Sequence, residues 1–310
     1  MLVVLAGGVG AARFLRGLID VVDPASITII GNTADDEEFL GLHVSPDLDT
    51  VVYTLSGAVH PEQGWGLADE TYTVIEQAAR LGEETWFKLG DKDLATHLLR
   101  TRCLRDGKTL SEATDAVARA FGLSCRLLPM SDDRVRTVVT TDGGELSFQE
   151  YFVKRRFQDE VRSVRFDGVE RARPAPGVLE SIAEAEAVIV APSNPIVSIG
   201  PLLAVPGLRD ALRVTKAPVV AISPIVGGQA IKGPADKMLA SLGYEVSAAA
   251  IAKLYADFLD VLVLDEQDAP LAGEVESAGV RAVITDTIMR DADVRRALAE
   301  TTLRAARETT

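Results

Sequence analysis

The sequence predicts an α/β protein built on a doubly wound, mainly parallel Rossmann-like sheet, with an inserted, mostly helical cap or substrate subdomain. Three observations predict it. Short β-branched apolar runs lacking polar alternation recur along the chain, as strands covered on both faces require. Helix-like stretches separate most of them, which favours parallel crossovers. The first run enters a glycine turn that opens directly into a helix.

The runs expected as strands are Leu2–Ala6, Ile27–Gly31, Ala187–Ala191, Val219–Ser223, Val261–Asp265 and Ala282–Thr285. The rhythm breaks in the middle, where no comparable run is found between about Gly57 and Glu184. Leu67–Leu81, Asp91–Leu104 and Ser111–Phe121 carry helical periodicity there, the last opening on Ser111-Glu112 as its cap. Val135–Thr141 and Leu146–Phe152, joined by Asp142-Gly143-Gly144, read as a β-hairpin. The expected division is therefore a nucleotide-binding core of residues 1–56 and 185–310 carrying an insertion at 57–184. The tail after Asp291 reads as a surface helix.

Composition narrows the function. The 310 residues are 47% hydrophobic and 25% charged, which suits a large packed core and excludes disorder. A net charge of −14 with no basic stripe argues against a protein that grips nucleic acid. A small anionic substrate is still compatible, because backbone N–H groups and a metal ion supply positive field locally. No apolar run approaches the ~18 residues of a membrane span. Cys103 and Cys125, without CxxC spacing, read as reduced core residues, and the expected location is the cytoplasm.

Leu2-Val3-Val4-Leu5-Ala6-Gly7-Gly8-Val9-Gly10-Ala11-Ala12-Arg13 is a strand, a glycine turn and a helix, suited to close approach of a phosphate. It is no Walker A loop. It also departs from the dinucleotide fingerprint, because Arg13 stands at the third glycine position and Gly31-Asn32 ends the second strand without a ribose acid. A tight turn with no ligand is the plainer alternative. Asn32-Thr33-Ala34-Asp35-Asp36 follows the second strand, with Asn32 a nucleotide partner and Asp35 or Asp36 a cation ligand, or else a helix cap or solvated turn. In Ser45-Pro46-Asp47-Leu48-Asp49-Thr50, Ser45 reads as N-cap and Asp47 as a first-turn acid that suits the macrodipole. Asp49 has no such explanation and is paired with Asp35 as a magnesium site completed by substrate phosphates. Ser193, Asn194 and Ser198 lie in the proline-restricted loop Ala191–Pro201. Asp91 is a candidate helix cap, and Asp93 with His97 an i,i+4 pair whose bland reading is a surface salt pair. The three histidines have no zinc spacing, and no nucleophile elbow is present.

Gly7-Gly8-Val9-Gly10, the Asp35-Asp36 turn, Ser45–Thr50, Lys88-Leu89-Gly90-Asp91-Lys92-Asp93-Leu94-Ala95-Thr96-His97, Leu128-Pro129-Met130-Ser131-Asp132-Asp133 and Ala191–Pro201 occur in that order. Together they closely resemble the 2-phospho-L-lactate transferase family of coenzyme F420 biosynthesis, from residue 1 to about residue 290. The resemblance implies a Mg2+-dependent transferase acting on a guanosine diphosphate conjugate of a three-carbon acid and on the deazaflavin alcohol FO. The products would be F420-0 or its dehydro form, and GMP. It also implies a homodimer.

Carried over by position, Asp49 and Lys88 match the family's deazaflavin-binding residues. Asp49 is further expected to orient the attacking hydroxyl as the catalytic residue. Gly7, Gly8, Gly10, Asn32, Ser193 and Asn194 are expected to line the nucleotide, and Asp35 and Asp49 to hold Mg2+. Gly7–Phe14 is more similar to actinobacterial members, associated with phosphoenolpyruvate, and Lys88 to archaeal ones, associated with phospholactate. The two hints conflict, so phosphoenolpyruvate and 2-phospholactate both stay open, with a lean to phosphoenolpyruvate. Two rivals remain: a non-enzymatic nucleotide-sugar-binding regulator of the same fold, and a nicotinamide-dependent dehydrogenase. Asp49→Ala is expected to abolish transfer at a stability cost of only about 1 kcal/mol.

Overall fold

The computed structural model describes residues 1–309. Seven strands form the central sheet: β1 (Leu2–Ala6), β2 (Ile27–Gly31), β3 (Arg126–Pro129), β4 (Ala187–Val190), β5 (Val219–Ile222), β6 (Val261–Asp265) and β7 (Arg281–Thr285). Their order across the sheet is β7-β6-β5-β4-β1-β2-β3, and every pair is parallel. The chain builds outward from β1 through β2 to β3, then returns to the other side of β1 with β4. The strand order thus reverses between β1 and β4, which opens a crevice at their carboxyl ends.

Strand alternation separates two cores. Val3 and Leu5 of β1 pack on one face with Val188 and Val190 of β4 and with Leu202 and Ile251. Leu2, Val4 and Ala6 pack on the other with Phe14 and Leu15 of helix α1 (Gly8–Leu18), Val51 and Val52 of helix α2 (Pro46–Leu55), and Leu298 of the last helix, Ala292–Arg307. Asp291 caps that last helix, its carboxylate accepting from the Val294 N–H at 2.9 Å.

The middle of the chain differs from expectation in one consequential place. β3 at Arg126–Pro129 is a strand of the central sheet, paired with β2 from Thr28↔Arg126 to Gly31↔Pro129. The chain therefore rejoins the core inside the stretch read as insertion. β3 was hidden because it is short and lies at the sheet's edge: Leu127 and Leu128 are its only large aliphatic residues, and Arg126 is exposed. Before it come helices α3 (Thr73–Arg80), α4 (Asp93–Arg105) and α5 (Leu110–Ala120). The first is much shorter than Leu67–Leu81. The third is capped by Thr109 and Glu112 in a reciprocal box, not by Ser111.

After β3 the expected hairpin forms between Arg136–Thr141 and Gly144–Ser147, and Val161–Asp167 adds a third antiparallel strand. Its second arm ends at Ser147, because Glu150–Lys154 turns into a π-helical segment that buries Tyr151. Phe148 and Phe152 stack there at 5.5 Å.

Candidate active site

Three chain segments meet at the carboxyl end of β1, and the glycines explain how they come so close. Gly7 is extended, while Gly8 has φ +71, a left-handed conformation that costs a glycine little. A Cβ on Gly7 would lie 2.7 Å from Ser198 Cβ and 3.0 Å from Asp47 Oδ2. A Cβ on Gly10 would lie 2.3 Å from the Pro192 carbonyl oxygen. The Gly7 N–H donates to Ser193 Oγ at 3.3 Å. The turn is therefore wedged between the start of α2 and the loop after β4. Gly10 faces a carbonyl, while Gly8, Val9 and Gly10 are all partly exposed.

Asn32, fully buried at the end of β2, organises the acids around this wedge. Its amide nitrogen donates to Asp35 Oδ2 at 2.9 Å, to Asp47 Oδ2 at 3.0 Å and to the Val197 carbonyl at 3.3 Å. Its oxygen accepts from the Ala34 N–H at 3.0 Å. The side chain expected to bind nucleotide is thus occupied in holding two carboxylates together. Burial, and then the neighbouring Asp47, raise the Asp35 carboxyl well above the usual carboxylate range. Burial pushes Asp47 up to about 6 against a partial offset from Asn32. Asp36 is also raised by burial, although Ser45 Oγ donates to it at 2.6 Å and His43 Nε2 lies 3.0 Å away. Ser45 thus turns its hydroxyl on Asp36 instead of capping α2. Asp35 Oδ1 and Asp36 Oδ1 are buried without a hydrogen-bond partner.

The expected pairing of Asp35 with Asp49 is corrected by this geometry. Asp47 is the acid hydrogen-bonded into the Asp35 cluster, and a residue two positions along a helix points to a different face. Asp49 turns the other way, into a largely buried network. Arg100 Nη1 donates to its Oδ2 at 3.0 Å, and Nη2 donates to Oδ1. His97 lies between Asp49 and Asp93, with Nδ1 3.7 Å from Asp49 Oδ2 and Nε2 3.2 Å from Asp93 Oδ2. Tyr53 Oη donates to Asp93 at 2.5 Å. The Asp93–His97 pair read as a surface feature is therefore interior, with His97 only 1% exposed. Asp91 caps α3, accepting from the Thr73 and Val74 N–H groups, both at 3.0 Å. The cap of α4 is Glu70, which accepts from the Lys92 and Asp93 N–H groups.

The remaining expected residues divide. Ser193 stands in the wedge beside Gly7. Asn194 braces its own loop, its oxygen accepting from the Ile196 N–H at 2.9 Å, so it serves the loop's shape. Lys88 is exposed, its Nζ 5.9 Å from the centre of the Tyr72 ring. Its neighbour Phe87 stacks on Phe39 at 4.2 Å, and Leu89 packs with Val44 on the strand that leads into α2.

Among the described residues no group of three or more His, Cys, Asp and Glu side chains forms a metal cage by itself. Asn32 holds Asp35 beside Asp47, and the Oδ1 atoms of Asp35 and the adjacent Asp36 are buried without partners, a donor set that fits a hard cation taking its other ligands from water and substrate. Both cysteines are free and buried. No helix of the described residues is long and apolar enough to cross a membrane.

Comparison with known proteins agrees with this architecture. A protein of the UPF0052 family from Bacillus halodurans superposes with a TM-score of 0.67 over 97% of this chain and 98% of that one, at 17% identity. A phosphoenolpyruvate transferase from Streptomyces griseus is 50% identical over 99% of this chain and 98% of its own. A 2-phospho-L-lactate transferase from Methanosarcina mazei is 39% identical over 98% of this chain and 100% of its own. The family described as 2-phospho-L-lactate transferase CofD matches residues 2–303, and the chain belongs to that family of transferases.

Proposed function

We propose that the protein transfers a phosphoenolpyruvyl group from its guanosine diphosphate conjugate to the deazaflavin FO, giving the dehydro form of coenzyme F420-0 and GMP. The observation that carries this reading is the acid cluster of Asp35, Asn32 and Asp47, set against the Gly7–Gly8 turn at the switch point of the sheet. Phosphoenolpyruvate is preferred to phospholactate because relatives named for the former reach 46–50% identity, against 38–42% for the latter.

In the proposed reaction a ribityl hydroxyl oxygen of FO bonds to the phosphorus that carries the enolpyruvyl group. The bond from that phosphorus to the oxygen bridging to GMP breaks, and its electron pair leaves on GMP. The hydroxyl proton passes to solvent, and a loose transition state needs no strong base. Asp35 and Asp47 are the residues to hold Mg2+, which would neutralise charge on the diphosphate. Gly8 brings partly open backbone to the phosphates at the start of α1, and buried Gly7 shapes the turn that places it there. Exposed Lys88 is the proposed direct FO contact, and Asp49, buried with both oxygens on Arg100, is proposed to serve FO binding from behind through that pair. The chemistry requires alignment and electrostatic stabilisation more than a covalent nucleophile.

The test is incubation with FO, the guanylylated conjugate and Mg2+, followed by mass spectrometry of the deazaflavin. A deazaflavin phosphodiester accompanied by equimolar GMP is the expected result. Binding of a UDP-sugar with no deazaflavin product would instead make the protein a nucleotide-sugar-binding module.

A further inference from the structure

Arg13 and Lys232 converge on one point beside the glycine turn. Arg13 stands four residues after Val9, so both side chains lie on the same face of α1. That face meets Gly64. A Cβ on Gly64 would lie 3.1 Å from Val9 Cγ1, 3.7 Å from Lys232 Nζ and 3.9 Å from Arg13 Nε. The ammonium and guanidinium thus each approach within 4 Å of the same position, where the chain has no side chain. Lys232 comes from the loop after β5, on the far side of the switch point from β2. Its Nζ donates to the Gln63 carbonyl at 2.8 Å and has two further protons to give.

No carboxylate answers either charge among the described residues. Two like charges held together cost free energy unless an anion shares them. Partial burial, and then the Arg13 guanidinium, hold Lys232 below the usual lysine range, as such crowding requires. The start of α1, one turn before Arg13, adds its own positive field.

We propose that Arg13 and Lys232 form a two-pronged anion site that grips the phosphate or carboxylate groups of the donor, beside the acid cluster across the glycine turn. The identity of the anion rests on the transferase reading; the site does not. The alternative is a strap in which Lys232 merely pins the Gln63 carbonyl.

Calorimetric titration of the full chain in Mg2+ buffer, with inorganic pyrophosphate and separately with phosphoenolpyruvate, distinguishes these. Arg13→Gln and Lys232→Gln should each weaken binding of at least one probe by about tenfold or more, the scale of one lost charge-assisted contact. Lys232→Arg should retain most of the affinity, and FO, being uncharged there, should bind all variants alike. The probe that suffers tells whether the site takes the diphosphate or the three-carbon end. Arg13→Gln keeps the test sound if Lys232→Gln melts early, because Arg13 makes no hydrogen bond to lose. Failure of the wild-type chain to bind either probe, or wild-type affinity in both variants, overturns the proposal. If FO is never modified while pyrophosphate binding still depends on Arg13, the transferase reading fails and the anion site stands.

Discussion

Arg100 changes what a substitution at Asp49 measures. Read from the helix start alone, Asp49→Ala should cost only about 1 kcal/mol. The structure places both oxygens of Asp49 on a guanidinium that is 1% exposed, so truncation strands a buried charge. Such losses run to about 3–5 kcal/mol. Asp49→Ala is therefore expected to lower the denaturant midpoint severely, and Asp49→Asn/Arg100→Met to recover much of that stability without recovering transfer. Equal midpoints for Asp49→Ala and the wild type would show that the pair does not persist in solution. Asp47 behaves oppositely. Its carboxylate is buried and crowded by Asp36, so Asp47→Asn should raise the melting temperature at pH 7 and, on the proposed assignment, weaken Mg2+ binding.

At the scale of elements, the glycine turn yields a graded prediction. Gly10→Ala drives a methyl into the Pro192 carbonyl, a backbone atom that cannot swing aside. Gly8→Ala has room, its nearest neighbour being Asp47 Oδ1 at 3.8 Å, and carries only the strain of its positive φ, about 1 kcal/mol. Thermal melts should therefore rank Gly10→Ala well below Gly8→Ala. The fold was legible in the sequence wherever a strand is buried on both faces, as in Leu2–Ala6 and Val261–Asp265. It was illegible at β3, where an edge position removes the long apolar run. The position of the candidate site was legible only as loops that follow strands, since Asn32 and Asp35 come after β2 and Ser193 after β4. Its grouping was not. Asp47 was set aside because a Ser-Pro-Asp helix start explains an acid locally, and only the three-dimensional path brings it to Asn32. Arg100 carried no local signal either, since a lone arginine within a helix usually faces water.

For the molecule as a whole, the acid cluster sets a pH dependence whose sign is definite. Asp35, Asp36 and Asp47 hold protons more tightly folded than unfolded, so stability falls as pH rises from the unfolded value of 3.8 through about 6 for Asp47. On the proposed assignment, protons and Mg2+ would compete for the same oxygens. The apparent affinity for Mg2+ should thus drop as pH falls through about 6, and Mg2+ with pyrophosphate should raise the melting temperature more at pH 7.5 than at pH 5. A pH-independent Mg2+ effect would place the cation elsewhere.

The reversal of strand order between β1 and β4 has a consequence for assembly. Gly7 and its hydrogen-bond acceptor Ser193 are 186 residues apart, so one wall of the crevice is made long before the other is synthesised. A nascent chain ending ahead of β4 holds the acids and the glycine turn with their facing loop missing, and Leu5 and Val3 lie uncovered along one edge. Two separately expressed pieces divided near residue 176 should accordingly be inert alone and regain ligand binding on mixing, with β4 sliding in beside β1 as the step that closes the crevice.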